Sequence, residues 1–468
     1  MLSLRGEKRR SSAERWETIR GASFQMIYLS RRRDGLWGVP TIPGQVTQTY
    51  ALPNSREDGA RSQYRFGHPS ITETWNALCA LDRLGDKNLD VVASRALRAI
   101  EGHRDSAGGY GTPWLRRNQV EINAVPRHTA MAALSHLMFS SAGQKEKLVK
   151  HLQPTMEWLL SRQLKGGGWP YDFSGQSADL GFLSTASSIA ATCQYLKLLP
   201  SSAALRKRLQ NSACRAFESL KACQRDGAWS GDGSPPSHQI LDAAFTLRLL
   251  MVADFDGVLS SVLQVQNITT DETFSKFLGA ALRQGWPDRI GQNSPTGVST
   301  VSGLEITQAA KLVSRFTTDD LQEFEGLVLS EWGSGALSAR ATSWDWQMLG
   351  LLAGLRCGPI SASEQISLIG PVEAALSADK DAAVRGPLRK LPKEIRVPAI
   401  FALREGRALS KTKVWAWIGG KVGTALDKSL DNFIAWLVIA IMGLLIAALI
   451  LHKSPREYIV NKVAKAAE

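Results

Sequence analysis

The segment Gln163-Leu-Lys-Gly-Gly-Gly-Trp169 indicates a repeat architecture, because similar turns recur along the chain. Glycine-rich or glycine-containing turns that end in an aromatic residue also occur at Gly35–Trp37, Gly108–Tyr110, Asp226–Trp229 and Gln284–Trp286. From Tyr110 onward, the aromatic residues follow one another at steps of 59, 60 and 57 residues. A fixed period of this length is typical of an array of repeated structural units.

The sequence between these turns is helical in character. Segments 144–163 and 205–223 carry apolar residues at steps of three and four, with charged residues on the opposite face. Segments 129–138, 185–196 and 242–251 are instead rich in small and apolar residues and nearly uncharged. A helix of the second kind must be covered on all sides, whereas its amphipathic partner keeps one face in water. Each period therefore predicts a hairpin of one outer and one inner helix.

About five to six such hairpins over residues 12–370 predict an all-α fold, an (α/α) toroid whose inner ring is wrapped by an outer ring. The alternative is an open superhelical solenoid, because a repeat period alone does not prove closure. The predicted domain organisation is a toroid at 1–370, a basic linker and juxtamembrane segment at 371–432, a transmembrane helix at 433–451 and a short tail at 452–468.

Residues 433–451 (FIAWLVIAIMGLLIAALIL) contain no charge over 19 positions. A helix needs roughly 20 apolar residues to cross the hydrocarbon core of a bilayer. A buried core helix is the alternative, but it usually carries a polar face, which this segment lacks. The N-terminus has no apolar run of secretory type. The sequence therefore predicts a membrane protein with a single pass near the C-terminus and a cytoplasmic toroid.

Composition sets wider bounds. The chain has 468 residues, 44% hydrophobic and 21% charged, which excludes a disordered or fibrous protein. A net charge of +13 favours an anionic partner. We expect membrane lipid rather than nucleic acid, because no recognised nucleic-acid module accompanies the basic residues. Five cysteines without a Cys-x-x-Cys pair, and no histidines at zinc-ligand spacing, predict no disulfide framework, no metal site and no cofactor.

The turns Gln163–Trp169 and Gln224-Arg-Asp-Gly-Ala-Trp229 each end a predicted outer helix and precede a Thr/Ser/Ala-rich inner helix. In this they resemble the Gln-Trp repeats of squalene-hopene and other terpenoid cyclases, whose toroid the β-subunits of protein prenyltransferases share. The resemblance spans about residues 20–360. It implies that the glutamine and tryptophan of each turn are structural braces rather than catalytic groups.

The reactive residues of that superfamily do not match. Cyclases that protonate an alkene carry an Asp-x-Asp-Asp-Thr-Ala-like segment, whereas the best-matching stretch here is Val125-Pro-Arg-His-Thr-Ala130, with Arg127 and His128 in place of the last two acids. A guanidinium or imidazolium is far too weak an acid for that step. The Asp, Cys and His zinc ligands of protein prenyltransferases and the Gly-Cys-Gly-Glu-Gln segment of the thioester proteins are also missing from their expected places.

Inner helices that run parallel bring their N-terminal ends, with their positive dipole ends, to one mouth of a toroid. The candidate catalytic residues at those ends are His128, Asp242 and Asp345. Alternatively, Thr74, Ser184 and Asp242 are N-caps, and His128 is a buried histidine whose hydrogen bonds are satisfied. Five aromatic residues near the same ends could line a cavity for a polyprenyl chain or could fill the ring. These candidate ligand-binding residues are Trp75, Tyr110, Trp114, Trp344 and Trp346.

The sequence thus predicts a membrane-anchored, terpenoid-cyclase-like toroid that acts as a binding or scaffold protein for an isoprenoid-like ligand or a protein partner. The alternative is an enzyme acting on an isoprenoid or another apolar substrate through a non-standard acid–base site. A third interpretation is an α/α-barrel acting on sugars, which requires two carboxylates facing each other across the cavity.

Overall fold

Helices dominate the part of the chain that the computed structural model describes, namely residues 11–31, 35–38, 69–116, 119–140, 145–171, 180–229, 239–340 and 343–377. In chain order the helices are α1 (Ser12–Leu29), α2 (Ile71–Arg83), α3 (Leu89–Glu101), α4 (Pro126–Phe139), α5 (Lys145–Arg162), α6 (Phe182–Leu196), α7 (Ala204–Cys223), α8 (Gln239–Ala253), α9 (Val258–Leu263), α10 (Glu272–Gly279), α11 (Gly297–Ala309), α12 (Thr318–Gly333), α13 (Ala336–Arg340), α14 (Ser343–Cys357) and α15 (Ala362–Ser377). The prediction of a mostly helical chain is confirmed.

Two short antiparallel strand pairs interrupt the helices. Strand β1 (Trp37–Gly38) pairs with β2 (Pro69–Ser70), which leads directly into α2. Strand β3 (Gly111–Arg116) pairs with β4 (Gln119–Ala124) in a hairpin that precedes α4. Both pairs therefore lie between an outer helix and the inner helix that follows it.

Six helices, α2, α4, α6, α8, α11 and α14, form the inner ring. Each contacts the next in this order, and α14 contacts α2. The ring is therefore closed, which excludes the open solenoid. The other long helices lie outside it: α1 packs on α14, α3 on α2 and α4, α5 on α4 and α6, α7 on α6, α12 on α11, and α15 on α1. In α7 only one face is buried, which carries Leu209, Ala213, Phe217 and Leu220, whereas α1 is buried along most of its length.

The corners between outer and inner helices share one hydrogen-bond pattern. At Trp169 the backbone N–H donates to Thr185 Oγ1 of α6 (3.0 Å), and the indole N–H donates to the Leu159 carbonyl of α5 (2.7 Å). Gln163 Nε2 donates to the Ser212 carbonyl of α7 (2.9 Å). One corner thus joins three helices. The two tryptophan bonds recur at Trp37 with Thr74 and Ile27, and at Trp286 with Thr300 and Phe277.

The corner at Gln163–Trp169 also requires a glycine. Gly167 has φ +108°, a region that L side chains rarely adopt, and a Cβ there would clash with the Arg215 carbonyl of α7. The backbone of the corner therefore lies directly against the next outer helix. The adjacent Gly166 has open space around it.

We expect Gly167→Ala to lower the free energy of unfolding by roughly 1–3 kcal/mol, because the substitution adds backbone strain and a steric clash. The matched control Gly166→Ala should change it by less than about 0.5 kcal/mol. Urea denaturation followed by circular dichroism measures both. Equal effects of the two substitutions would show that the corner does not depend on this close approach.

Aromatic side chains fill one layer of the ring centre. Trp75 of α2 and Phe245 of α8 lie edge to face with ring centroids 5.9 Å apart, and Phe245 meets Trp344 of α14 at 4.6 Å. Helices α2 and α8 are opposite members of the six-helix ring, so the first contact crosses its centre. Trp75 is fully buried.

A polar network fills a second layer. Arg248 of α8 donates to Glu305 Oε2 of α11 (2.6 Å) and to Asn76 Oδ1 of α2 (2.9 Å). Asn76 Nδ2 in turn donates to Gln347 Oε1 of α14 (2.7 Å). All four residues are buried. A charged pair inside a protein is tolerated only when partners compensate both charges, which this network provides.

Replacing Arg248 alone, as Arg248→Met, leaves Glu305 buried without its cation, so we expect a loss of about 3–5 kcal/mol in the free energy of unfolding. The double variant Arg248→Met/Glu305→Leu should recover most of that loss, because no uncompensated charge remains. Arg283→Met, at an 87% exposed side chain paired with Glu323, is the surface control and should cost less than about 1 kcal/mol. A double variant as unstable as the single one would contradict this account.

The predicted membrane localisation requires correction. Among the helices that the structure describes, none combines the length and the apolar character that crossing a bilayer requires. The longest of them, α7, has 20 residues but includes Arg206, Lys207 and Arg208. The segment on which the localisation was based, 433–451, lies outside the described residues. The expected lipid partner, which follows from the net positive charge, stays a prediction.

Contacts divide the chain into two units, Met1–Gly406 and Arg407–Glu468. Every described residue belongs to the first unit. Most of the predicted linker at 371–432, together with the span and the tail at 452–468, lies outside the described residues, and these boundaries remain predictions.

Candidate functional site at the mouth of the inner ring

Titratable side chains gather at the N-terminal ends of inner helices. Glu73, His128 and Asp345 are each the third residue of their helices, α2, α4 and α14, and Asp242 is the fourth residue of α8. The charges that act on Glu73 come from the first turns of both neighbouring helices, through Asp345 and Arg127. These three inner helices therefore begin at the same mouth of the ring, as the sequence predicts.

Burial in the ring strongly perturbs the pKa of Glu73, at the start of α2. Its carboxyl group is buried, and burial raises its pKa to about 8, with a further upward contribution from Asp345. The charge of Arg127 and a hydrogen bond from Gln347 act in the opposite direction without cancelling the effect of burial. Near neutral pH the group therefore mostly keeps its proton and can donate a hydrogen bond or a proton.

Gln347 links this acid to the ring centre. It hydrogen-bonds Glu73 and also accepts from Asn76, which leads on to Arg248 and Glu305. A continuous chain of polar side chains thus runs from the mouth into the core. Arg248 and Glu305 were not predicted from the sequence. The available signal was the lone charge of α11, Glu305, and the single cation of α8, Arg248, whose helix carries only Asp242 besides.

The structure separates the three predicted catalytic residues. Asp345 is buried close enough to Glu73 to raise its pKa, so these two carboxyl groups form one site. His128 lies beside Arg127 at a partly exposed position on α4. Asp242 is partly exposed on α8, which is opposite α2 in the ring.

The predicted ligand-binding aromatics mostly pack against protein. Trp75 and Trp344 form the central layer with Phe245, whereas Trp346 points to the outer ring and meets Trp332 of α12 at 5.6 Å. Tyr110 is a buried corner residue whose backbone N–H donates to Thr129. Trp114 lies in β3, and its side chain is outside what the structure describes. These contacts favour the interpretation that the aromatics fill the ring.

A surface cleft of about 470 Å³ opens elsewhere, between α10 and α12. Its lining combines Leu278, Phe316 and Phe324 with the two cations Arg283 and Arg315. None of the residues predicted for the site lines this cleft. We therefore place the candidate site at the mouth, where the perturbed carboxyl group lies.

No protein-family model and no curated protein matches the chain. Among solved structures, the type II terpene cyclase MstE from Scytonema, without ligand, is similar at 14% identity and a TM-score of 0.43, covering 68% of this chain and 79% of that one. A variant of the same cyclase in complex with its substrate geranylgeranyl dihydroxybenzoate is similar at 12% identity and a TM-score of 0.44, covering 74% of this chain and 98% of that one.

The pKa of Glu73 predicts a pH dependence of stability. Because its pKa rises from 4.5 in the unfolded chain to about 8 in the folded one, the folded state binds more protons between these values. The contribution of Glu73 to stability is thus present below pH 4.5 and is lost as the pH rises through about 8. Across this window the free energy of unfolding of Glu73→Gln should rise relative to that of the parent chain, by about 1.4 kcal/mol for each pH unit.

Urea denaturation at a series of pH values measures this difference. Glu146→Gln, at an exposed position on α5, is the control and should track the parent at every pH. If the free energy of unfolding of Glu73→Gln varied with pH in parallel with that of the parent chain, Glu73 would have to be ionised in the folded protein.

Proposed function

We propose that this chain is a binding protein built on a closed α/α ring, which engages a protein partner, or the head group of an isoprenoid-like ligand, without converting it. The filled ring centre carries the proposal. Trp75 crosses it to meet Phe245, and Arg248 crosses it to meet Asn76. A cyclising enzyme has to enclose its substrate, and in this ring that space is taken by side chains.

Two costs oppose opening the centre for an apolar chain. Displacing the aromatic layer would forgo the burial of large aromatic rings. Inserting hydrocarbon beside Arg248 and Glu305 would remove polar partners from charges that are 7% and 4% exposed. Both costs support a ligand that meets the ring at its mouth rather than one that passes into it.

The chemistry of the mouth favours a ligand that donates hydrogen bonds. Two carboxyl groups, Glu73 and Asp345, lie there with Arg127 and His128. The carboxylate of Asp345 can accept a hydrogen bond and compensates the positive ends of the helix dipoles, whereas Glu73 mostly keeps its proton. A hydroxyl or amino group, as on a lysine or serine of a protein partner, would therefore fit better than a diphosphate.

The second candidate is an enzyme that works at the mouth. The Glu73–Asp345 pair favours it, because a buried acid that keeps its proton beside a second carboxyl group is an arrangement suited to general acid–base catalysis. A reaction on a sugar, the third interpretation of the sequence, would instead require two carboxylates facing each other across the cavity, whereas Glu73 and Asp345 lie on neighbouring helices. Under this candidate Glu73 is the proton donor and Asp345 the base.

Incubation of the purified full chain with geranylgeranyl diphosphate or squalene, followed by mass spectrometry of the products, separates the two candidates for isoprenoid substrates. The binding proposal predicts no product from the folded chain. Product formation that disappears in Glu73→Gln, with the circular dichroism spectrum unchanged, would overturn the binding proposal in favour of the enzyme.

A tryptophan variant tests the physical basis of the proposal. Trp75→Ala should open a hole in the ring centre and raise the affinity for geranylgeranyl diphosphate by about ten-fold or more in calorimetry, because the chain gains apolar space. Trp286→Ala removes an equally buried tryptophan from a corner and should not raise it. Unchanged affinity in Trp75→Ala would show that the filled centre is not what excludes an apolar chain.

A further inference from the structure

Three side chains from three helices converge away from the mouth. Glu101 ends α3, His136 lies in the last turns of α4, and His151 lies in α5. His136 Nε2 is 2.7 Å and His151 Nε2 is 3.1 Å from the same carboxylate oxygen, Glu101 Oε1. One ligand atom of each residue lies within 4.8 Å of the others.

We propose that Glu101, His136 and His151 form a binding site for a divalent transition metal of the Zn²⁺ class. Two imidazole nitrogens and one carboxylate oxygen are a known zinc ligand set, in which a water molecule takes the fourth position. The side chains of Glu101 and His151 are 33% and 36% exposed, so solvent can reach the cluster and supply that water. His136 is only 9% exposed and forms the floor of the site.

The groups around the cluster position the ligands. Tyr110 donates its hydroxyl to Glu101 Oε1 (2.8 Å), and Arg104 donates to the His151 carbonyl (2.9 Å) while lying 3.7 Å from Glu101 Oε2. Hydrogen bonds of this kind to the ligating residues fix the orientation of metal ligands.

An ion pair alone accounts poorly for this arrangement. One carboxylate needs one cation, yet two imidazoles and a guanidinium surround Glu101. Metal binding gives both imidazoles a role: each Nε2 lone pair bonds to the metal, and any proton on that nitrogen leaves to solvent. Small rotations of the side chains would bring the three atoms to tetrahedral spacing, since the imidazole rings already lie edge to face with centroids 5.5 Å apart.

The test uses the full chain, stripped of metal by a chelator and titrated with Zn²⁺ alone in a calorimeter. We expect one Zn²⁺ per chain, no binding of Mg²⁺, which prefers oxygen ligands, and with Co²⁺ the visible absorption bands of a tetrahedral site. His151→Gln, at a partly exposed position, should weaken Zn²⁺ binding by more than about 100-fold. This exceeds the loss of affinity expected when a residue that only orients a ligand is replaced. Glu101→Gln provides a second variant with the same expected loss.

Cys223→Ser is the control, because Cys223 is an exposed free thiol that could bind Zn²⁺ adventitiously. It should leave the one-to-one binding unchanged. The proposal is overturned if the folded chain binds no Zn²⁺, if Cys223→Ser abolishes binding, or if His151→Gln and Glu101→Gln both bind as the parent does. A cluster that takes up protons but no metal falls under the first of these outcomes.

Discussion

The corner hydrogen bonds hold the ring together. At three corners a tryptophan uses its backbone N–H to bind a threonine of the next inner helix and its indole N–H to bind a carbonyl of the preceding outer helix. These groups are buried, so leaving any of them unpaired would cost more than the bond itself contributes. The corners thereby fix the spacing of each hairpin, and six inner helices at this spacing close with α14 against α2.

Closure determines what the interior can hold. Six inner helices leave a narrow centre, and opposite helices meet across it through Trp75 with Phe245 and Arg248 with Asn76. A buried charged network is favourable only when each member has its partners, so this layer specifies one arrangement of four helices. Glu73 and Asp345 are also buried, at the starts of α2 and α14, and Glu73 joins the same network through Gln347. Binding or chemistry at these two carboxyl groups is therefore coupled to a rigid centre.

Local patterns predicted the local structure. The period of the glycine–aromatic turns and the charge pattern of segments 144–163 and 205–223 sufficed for α5 and α7, and chain position placed Asp345 at a helix start. Long-range pairing could not be predicted in this way. Arg248 lies 172 residues from Asn76, and nothing in the local sequence indicates that they meet. Thr74 looks like a helix cap in sequence, but it accepts the corner bond of Trp37, and Ser70 is the cap. The predicted membrane localisation is wrong, since none of the described helices could cross a bilayer. It was based only on the apolar composition of 433–451.

The corner that ends at Tyr110 differs from the others, and this difference explains why Glu101, His136 and His151 lie together. Arg104 takes the place that Gln163 and Gln224 occupy, since all three donate to a carbonyl of the next outer helix, and for Arg104 this is His151. Tyr110 replaces the tryptophan, so its hydroxyl donates to the Glu101 side chain instead of a backbone carbonyl. A carboxylate is thereby drawn between α4 and α5, where His136 and His151 meet it. The three proposed zinc ligands lie on three successive helices, α3, α4 and α5, so their spacing in sequence matches no metal motif. The packing of the repeat brings them together.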